Sequence, residues 1–250
     1  MTEHVIIERR GAVQSIRMNR PDKKNALTRA MYAAMAKALR DGDTDPDIRC
    51  NVLLGVPGAF SAGNDLMDFL TIAQGGEGGT EVAEFLMALA TAQKPLIAGA
   101  DGVAVGIGTT VHFHCDLTFA TPRTVFHTPF VDLGLVPEAG SSLIAPRLMG
   151  RQAAFALLAL CEGMPADKAE ATGLIHRVVP EDELEAEVFK AAEALAAKPP
   201  EALKLARDLM LGDRHALIER IEEESAHFRA RLRSDEARNA FMAFMSRKKG

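Results

Sequence analysis

The feature that most constrains this chain is a glycine-rich turn that follows a buried-strand pattern. Residues 96–100 are uncharged and apolar, and residues 101–110 (Asp-Gly-Val-Ala-Val-Gly-Ile-Gly-Thr-Thr) predict a turn followed by the start of a helix. Gly106 and Gly108 would allow another group to approach the backbone closely. Because the first N–H groups of a helix have no intrahelical partner, the turn could stabilise developing negative charge as half of an oxyanion hole. The glycines could equally serve only tight helix–strand packing.

The composition predicts a soluble globular protein. The 250 residues are 48% hydrophobic, which is enough for one large core with a helical appendage. The apolar stretches are too short or too polar to span a membrane, and residues 1–10 have no apolar leader segment. The net charge of −5 argues against nonspecific nucleic-acid binding. Three widely spaced cysteines predict core thiols in a reducing cytoplasmic setting, without a disulfide framework or a metal site.

The order of the predicted elements indicates a mainly parallel sheet. Strand patterns at residues 5–19, 50–55 and 96–100 are separated by helix patterns that begin near Thr28 and Glu81. From residue 142 onward the chain is predicted to be almost entirely helical, with a last helix over residues 213–245. We therefore predict a core over residues 1–190 and a helical subdomain over residues 191–250. The apolar tip at residues 241–245 is expected to be exposed and to form a subunit interface.

Four motifs resemble those of the crotonase superfamily, the enoyl-CoA hydratase/isomerase family. They are residues 19–27 (Asn-Arg-Pro-Asp-Lys-Lys-Asn-Ala-Leu), residues 60–66 (Phe-Ser-Ala-Gly-Asn-Asp-Leu), residues 94–108 from Lys-Pro to the glycine-rich turn, and residues 133–142 (Leu-Gly-Leu-Val-Pro-Glu-Ala-Gly-Ser-Ser). The resemblance covers nearly the whole chain. It implies a crotonase (ClpP-like) spiral of ββα turns, a C-terminal helical region that builds trimers or pairs of trimers, and acyl-CoA thioester substrates with no separate cofactor.

The resemblance also implies the site residues. The backbone N–H groups of Ala62 and Ile107 fall where the family places its oxyanion hole, which would hold the thioester oxygen as an enolate forms. Lys23, Lys24 and Ala26 match the loop that meets the adenine and phosphates of coenzyme A, and residues 241–249 resemble a tail that can reach the ligand. The other residues expected at the substrate are Gly63, Asn64, Asp65, Leu66, Gly106, Thr110, Phe130, Leu135 and Pro137.

The acids select the reaction. Thr110 and Phe130 stand where the family's hydratases carry two glutamates, so ordinary hydration is not expected. Glu138 resembles the single catalytic glutamate of the peroxisomal type of Δ3,Δ2-enoyl-CoA isomerase, which needs one base to move a proton from C2 to C4. Apolar neighbours such as Leu135 and Pro137 are expected to desolvate this carboxylate and favour its protonated form.

Other interpretations remain open at this stage. Pro137 and Glu138 could be ordinary first-turn helix residues, with the acid supplied by Asp132, His127 or Asp65. The site could then hydrate with unusual acids, cleave a CoA ester, or bind acyl-CoA as a trimer without turnover. His112 and His114 are expected to be core residues and not metal ligands, since positions two apart on a helix do not share a face.

Overall fold

The fold is built on two sheets whose strands alternate along the chain. The computed structural model describes residues 2–65 and 79–247, and side chains as far as residue 243. The strands are β1 Val5–Arg10, β2 Val13–Met18, β3 Cys50–Leu54, β4 Ala59–Ser61, β5 Leu96–Ala100, β6 Val103–Val105, β7 Leu117–Ala120, β8 Val125–His127, β9 Met164–Pro165 and β10 Arg177–Val178. One sheet has the order β1-β2-β3-β5-β7-β10 and the other β4-β6-β8-β9.

Each turn of the chain contributes one strand to each sheet. Thus β3, β5 and β7 lie in the first sheet, and β4, β6 and β8, which follow each of them after a short corner, lie in the second. All neighbours are parallel except the β1–β2 hairpin and the β8–β9 pair. The strands β3 and β5 are buried throughout, as expected of parallel strands covered on both faces. This is the predicted spiral of ββα turns.

Helices connect the turns of this spiral and form the C-terminal part of the chain. They are α1 Arg29–Thr44, α2 Glu81–Thr91, α3 Ile107–Thr110, α4 Ser141–Met149, α5 Arg151–Leu158, α6 Ala166–Thr172, α7 Leu184–Ala196, α8 Pro200–Leu211, α9 Arg214–Leu232 and α10 Asp235–Arg247. Thr28 caps α1 as predicted, because its hydroxyl oxygen accepts a hydrogen bond from the Met31 amide. Short 3₁₀ turns lie at Pro21–Lys23, Val111–His114 and Val131–Leu133.

Asp101 ties together three corners of the spiral. Its carboxylate accepts hydrogen bonds from the Gly58 amide and the Thr121 hydroxyl, both at 2.7 Å, and it forms an ion pair with Arg123. These partners lie on the β3–β4 and β7–β8 corners, while Asp101 itself lies on the β5–β6 corner. The first residue of the glycine-rich stretch is therefore structural, and it keeps the first residues of β4 and β6 side by side.

The C-terminal region corrects two predictions. The last predicted helix is broken at Arg233 and Ser234 into α9 and α10. Phe241 is not exposed: only 4% of its surface is accessible, because α10 folds back onto the Val131–Leu133 turn, where Ala237 lies against Gly134. Met242 is exposed as predicted. The strongest exposed apolar residues in the described part lie instead on α8, where Leu209 and Met210 are 83% and 80% exposed.

Three further observations bear on the sequence predictions. Over residues 2–65 and 79–247, no helix is long and apolar enough to cross a membrane, and no group of three or more His, Cys, Asp or Glu side chains is arranged to hold a metal ion. Cys50, Cys115 and Cys161 are free thiols, and Cys50 and Cys161 are buried.

Candidate active site

The site begins where the ends of β4 and β6 meet. A side chain at Gly63 would place its Cβ 2.8 Å from the Val105 carbonyl, and one at Gly108 would lie 2.7 Å from the Ser61 carbonyl. Both glycines therefore permit one backbone to approach the other, which is the tight packing considered above. Gly106 differs, since a Cβ there would meet nothing within 4 Å; its φ of 57° explains the glycine.

The direction of the backbone amides after β4 contradicts one predicted role. Leu27 and Asn64 form a parallel bridge in which the Leu27 amide donates to Gly63 and the Asp65 amide donates to Leu27. The Ala62 amide points to the same side and donates to the Lys24 carbonyl at 2.8 Å. Because this N–H is already bonded within the protein, the prediction that Ala62 supplies an oxyanion-hole donor is wrong.

The amide of Asn64 lies on the opposite side of this segment. In a parallel bridge, the residues on either side of the bridged residue make the hydrogen bonds to the partner, so the Asn64 N–H itself points away from Leu27. Gly63, the residue before Asn64, lies against Val105, next to the start of α3. Within the described ranges no acceptor is found for the Asn64 N–H. The Asn64 side chain is held in place by Tyr32, whose buried hydroxyl donates to it at 2.5 Å.

The Ile107 amide is a second N–H for which no acceptor lies among the described residues. It is the first residue of α3, so its N–H has no intrahelical acceptor and lies at the positive end of the helix. The Gly106 amide before it is bonded to the His127 carbonyl at 2.8 Å. The sequence predicted this position correctly as the start of a helix. Two N–H groups from two strand ends are thus available in the same region.

The acid expected to complete the site is buried beside this helix. Glu138 is 7% exposed, and it accepts a hydrogen bond from the hydroxyl of Thr110, the last residue of α3. Burial raises the pKa of Glu138 to about 8; the Thr110 hydroxyl opposes this rise, and the negative charge of Glu224 adds to it. The carboxyl group is therefore protonated over much of the neutral pH range and ionises near pH 8.

Glu138 does not lie in the first turn of a helix. Helix α4 begins only at Ser141, and residues 138–140 form a turn in which Ala139 and Gly140 have φ of 60° and 70°. A left-handed conformation at an alanine is strained. The turn is held by His114, whose Nε2–H donates to the Ala139 carbonyl at 2.7 Å. Burial lowers the pKa of His114 to about 4, so this imidazole is neutral at pH 7. The helix-start interpretation of Glu138 is thus contradicted.

The predicted coenzyme A loop is exposed and anchored. The side chains of Lys23 and Lys24 are exposed, and Ala26 is half-buried. The loop is fixed by the buried Asn25, whose side-chain amide donates to the carbonyls of Ala59 and Phe60 at 2.9 and 3.0 Å. Asp65 forms an ion pair with Arg20 at 2.6 Å. The two lysines are therefore presented to solvent from a rigid base.

The other predicted substrate residues are distributed as follows. Phe130 and Leu135 are buried in the main core, where Phe130 contacts Phe228 with ring centroids 6.4 Å apart, while Pro137 is half-buried. Thr110 is fully buried. Leu66 lies outside the described residues. A role for these residues in binding substrate stays a prediction.

The alternative acids and bases have other surroundings. Asp132 is exposed on the Val131–Leu133 turn, and the His127 ring nitrogen lies 3.0 Å from the Cys161 carbonyl. His112 is buried between Phe60 and Phe126, and burial lowers its pKa to about 3, as expected of a core histidine. Among the acids named from the sequence, Glu138 is the one that is buried and bonded to α3.

Glu224 could not be identified from the sequence. This residue lies on α9 and is 5% exposed. Its carboxylate accepts hydrogen bonds from the backbone amides of Gly140 at 2.6 Å and Ser142 at 2.9 Å. In the sequence it is one of three successive glutamates in a highly charged helix, and nothing in that pattern distinguishes it from its exposed neighbours Glu222 and Glu223.

Comparison with known proteins gives consistent results. The chain is 36% identical to enoyl-CoA delta isomerase 2 of Rattus norvegicus over 251 residues, which cover 98% of this chain and 64% of that protein. It is 31% identical to the peroxisomal enoyl-CoA delta isomerase 3 of Mus musculus, with 99% and 80% covered. The chain thus spans less than two thirds of the length of the rat protein.

A solved structure and a family model agree with this result. The structure of Pseudomonas aeruginosa OdaA superimposes with a TM-score of 0.93 at 39% identity, covering 98% of this chain and 99% of that one. The sequence model described as Enoyl-CoA hydratase/isomerase matches residues 8–250. Together with the ββα spiral, these matches show that the chain belongs to the enoyl-CoA hydratase/isomerase family.

Proposed function

We propose that this protein is a Δ3,Δ2-enoyl-CoA isomerase acting on fatty acyl-CoA thioesters, with one glutamate base and an oxyanion hole of two amides. The observation that carries the proposal is Glu138, a buried carboxyl group hydrogen-bonded to Thr110, the last residue of the helix that begins at Ile107. The names of the rat and mouse relatives support the same reaction. An isomerase needs one acid–base group, and Thr110 and Phe130 leave the two hydratase positions without carboxylates.

The reaction follows from these groups. The thioester oxygen accepts hydrogen bonds from the amides of Asn64 and Ile107, which lowers the energy of an enolate. Ionised Glu138 takes a proton from C2 of a 3-enoyl-CoA, and the electrons of the C–H bond move to the thioester oxygen through a dienolate. The protonated Glu138 then delivers the same proton to C4. The carbonyl re-forms, the double bond lies between C2 and C3, and Glu138 is ionised again, so no cofactor is consumed.

The high pKa of Glu138 suits this shuttle. A base that must take a proton and return it works best when its pKa lies near the working pH. The ionised form takes the first proton, so we expect kcat/KM to rise with pH up to about 8 and then to level off. Removal of one hole donor typically costs about 2.7–4 kcal/mol in the activation barrier.

The test is direct. Purified protein is assayed with a 3-enoyl-CoA by following the ultraviolet absorbance of the conjugated 2-enoyl thioester, beside a 2-enoyl-CoA hydration assay. We expect conjugation with slow hydration in the parent protein, and loss of conjugation in Glu138→Gln with acyl-CoA binding retained. Asp132→Asn is the matched control, because it removes an exposed acid from the same region, and it is expected to keep its activity.

Other results would lead to other functions. Full activity in Glu138→Gln, or hydration without conjugation, would refute the proposal and direct attention to other acids of the site. Release of free CoA thiol would identify a hydrolase. Tight acyl-CoA binding without turnover of any enoyl-CoA would identify a binding protein.

We also propose that the protein assembles as a trimer or as a pair of trimers through α8. Leu209 and Met210 are almost fully exposed on this helix. Met210 also lines a cavity of about 680 Å³ between α4 and α8, with Leu148 at its rim. Large exposed apolar groups of this kind usually mark an interface. Light scattering should give three or six times the 26.9 kDa chain mass. A monomer would contradict this assignment.

A further inference from the structure

We propose that Glu224 is a positioning residue for Glu138: it holds the strained turn that aims Glu138 and keeps a negative charge beside it. The inference rests on the proposed isomerase function and assigns a task to a buried acid that the reaction itself does not use. Glu224 lies 84 residues from Gly140 in the chain, so its contact with the turn is purely tertiary.

The first support is the geometry of the turn. The Glu224 carboxylate accepts hydrogen bonds from the backbone amides of Gly140 at 2.6 Å and Ser142 at 2.9 Å, which flank the start of α4. These are first-turn amides with no intrahelical acceptor, so the carboxylate caps the helix and fixes the turn together. Ala139, which connects Glu138 to this clamp, has a left-handed conformation that surrounding contacts must maintain.

The second support is how the turn is enclosed. The Thr110 hydroxyl holds the Glu138 carboxylate, the His114 imidazole holds the Ala139 carbonyl, and Glu224 holds the Gly140 amide. Three successive residues are thus fixed by three different elements. Loss of the Glu224 contacts would leave Gly140 unbonded in a buried position, and the Glu138 carboxylate would lose its fixed place relative to α3.

The third support is electrostatic. Two buried carboxylates repel each other, so an ionised Glu224 favours the protonated form of Glu138. Burial raises the pKa of Glu224, but hydrogen bonds from Ser142 and Gly140 and the positive charge of Arg220 stabilise its ionised form. Glu138 has one such hydrogen bond, from Thr110, and its pKa is raised further, to about 8. Glu224 therefore ionises before Glu138 as pH rises.

The other charged groups around the pair leave this relation intact. On α9, Arg220 donates to the Ser142 hydroxyl at 3.2 Å and pairs with Glu223. His114, which faces the turn from the other side, is neutral at pH 7. On the helices packed against α9, four acids are paired at the surface, Glu81 with Arg29, Glu84 with Arg40, Asp235 with Arg238, and Glu236 with Arg231. Arg147 on α4 is exposed to solvent.

The experiment is the pH profile of kcat/KM with a 3-enoyl-CoA for the parent protein, Glu224→Gln and Glu222→Gln. Glutamine at position 224 keeps one acceptor oxygen but removes the negative charge that repels ionised Glu138. We therefore expect the pKa of Glu138, which sets the acidic side of the kcat/KM profile, to fall by about one pH unit. We also expect the plateau kcat to fall about tenfold with little change in KM, because Glu138 is less well held. Glu222→Gln removes an exposed charge from the same helix and should leave the profile unchanged.

The outcomes separate this inference from the proposed function. A folded Glu224→Gln protein whose acidic ionisation stays at the parent pH would refute the inference, even if its thermal stability had fallen. If that variant does not fold, Ser142→Ala decides the question: it removes a hydroxyl that stabilises ionised Glu224 and should move the profile in the same direction by a smaller amount. Retained activity in Glu138→Gln would refute the proposed function, and the inference with it.

Discussion

Replacing Glu138 with glutamine is predicted to stabilise the fold by an amount that increases with pH. In the folded protein the pKa of Glu138 is about 8, whereas its ordinary value is 4.5. Below pH 4.5 the carboxyl group is protonated in both the folded and the unfolded states. Between pH 4.5 and 8 the unfolded chain releases this proton and the folded protein keeps it, so the free energy of unfolding decreases as pH rises.

The magnitude follows from this pH interval. The loss is about 1.36 kcal/mol per pH unit, which accumulates to about 5 kcal/mol by pH 8 and then becomes constant. Glutamine does not ionise, so the variant avoids this loss. The difference in unfolding free energy between variant and parent should therefore be small near pH 5 and on the order of 3–5 kcal/mol at pH 9. Stability would increase while activity is lost, as is often found when a functional group is removed.

The measurement is urea unfolding followed by circular dichroism at pH 5, 7 and 9, at one protein concentration. Glu222→Gln is the control, since an exposed glutamate should give a difference that does not change with pH. A Glu138→Gln difference that is constant from pH 5 to 9 would refute the reasoning, because it would show that the buried carboxyl group ionises at an ordinary pH.

Three further predictions follow from the same structure. Gly63→Ala should lower kcat about 100- to 1,000-fold in steady-state assays, because the new Cβ would lie 2.8 Å from the Val105 carbonyl and displace the Asn64 amide. Gly58→Ala is the control, since Gly58 has a similar positive φ but a Cβ there would meet no atom within 4 Å. This control should lower the free energy of unfolding by only about 1–2 kcal/mol. Thr110→Val removes a hydrogen bond that favours ionised Glu138, so the pKa of Glu138 should rise and the acidic side of the kcat/KM profile should shift to higher pH by about one unit. An unchanged profile would contradict the contact between Thr110 and Glu138. Asp116→Asn should lower the free energy of unfolding, measured in urea, by about 3–5 kcal/mol, because the buried Arg207 guanidinium lies 2.8 Å from this carboxylate and would lose its counter-charge. A loss below about 1 kcal/mol would contradict this reasoning and show that water or another group compensates the Arg207 charge.

Much of the fold could be predicted because its signals are local. The alternation of apolar residues in residues 13–18, the uninterrupted apolar run of β5 and the cap at Thr28 each depend on neighbours in the sequence. Such signals place strands and helices with small errors at the ends: the strand predicted at residues 50–55 ends at Leu54. The break between α9 and α10 was missed because the residues on both sides of it favour a helix.

The amides of the proposed oxyanion hole illustrate what the sequence left open. The motif at residues 60–66 indicated that the backbone after β4 lies at the site. It did not indicate which N–H groups face the site, because that depends on the bridge between Leu27 and Asn64. Gly63, with a φ of 85°, interrupts the extended backbone between Ala62 and Asn64. The Ala62 amide is therefore bonded to the Lys24 carbonyl, while the Asn64 amide, two residues later, points away from Leu27.

The sequence by itself determined the element order, the two glycine-rich strand ends and the position of Glu138, because these depend on residue type and short-range spacing. Only the tertiary structure decided that the Ala62 amide is already bonded, that Phe241 is buried, and that Glu138 is fixed from α3 by Thr110 and its turn from α9 by Glu224. The physical reason is that burial, hydrogen bonding and the proton affinity of a carboxylate depend on groups far apart in the chain, and folding alone brings those groups together.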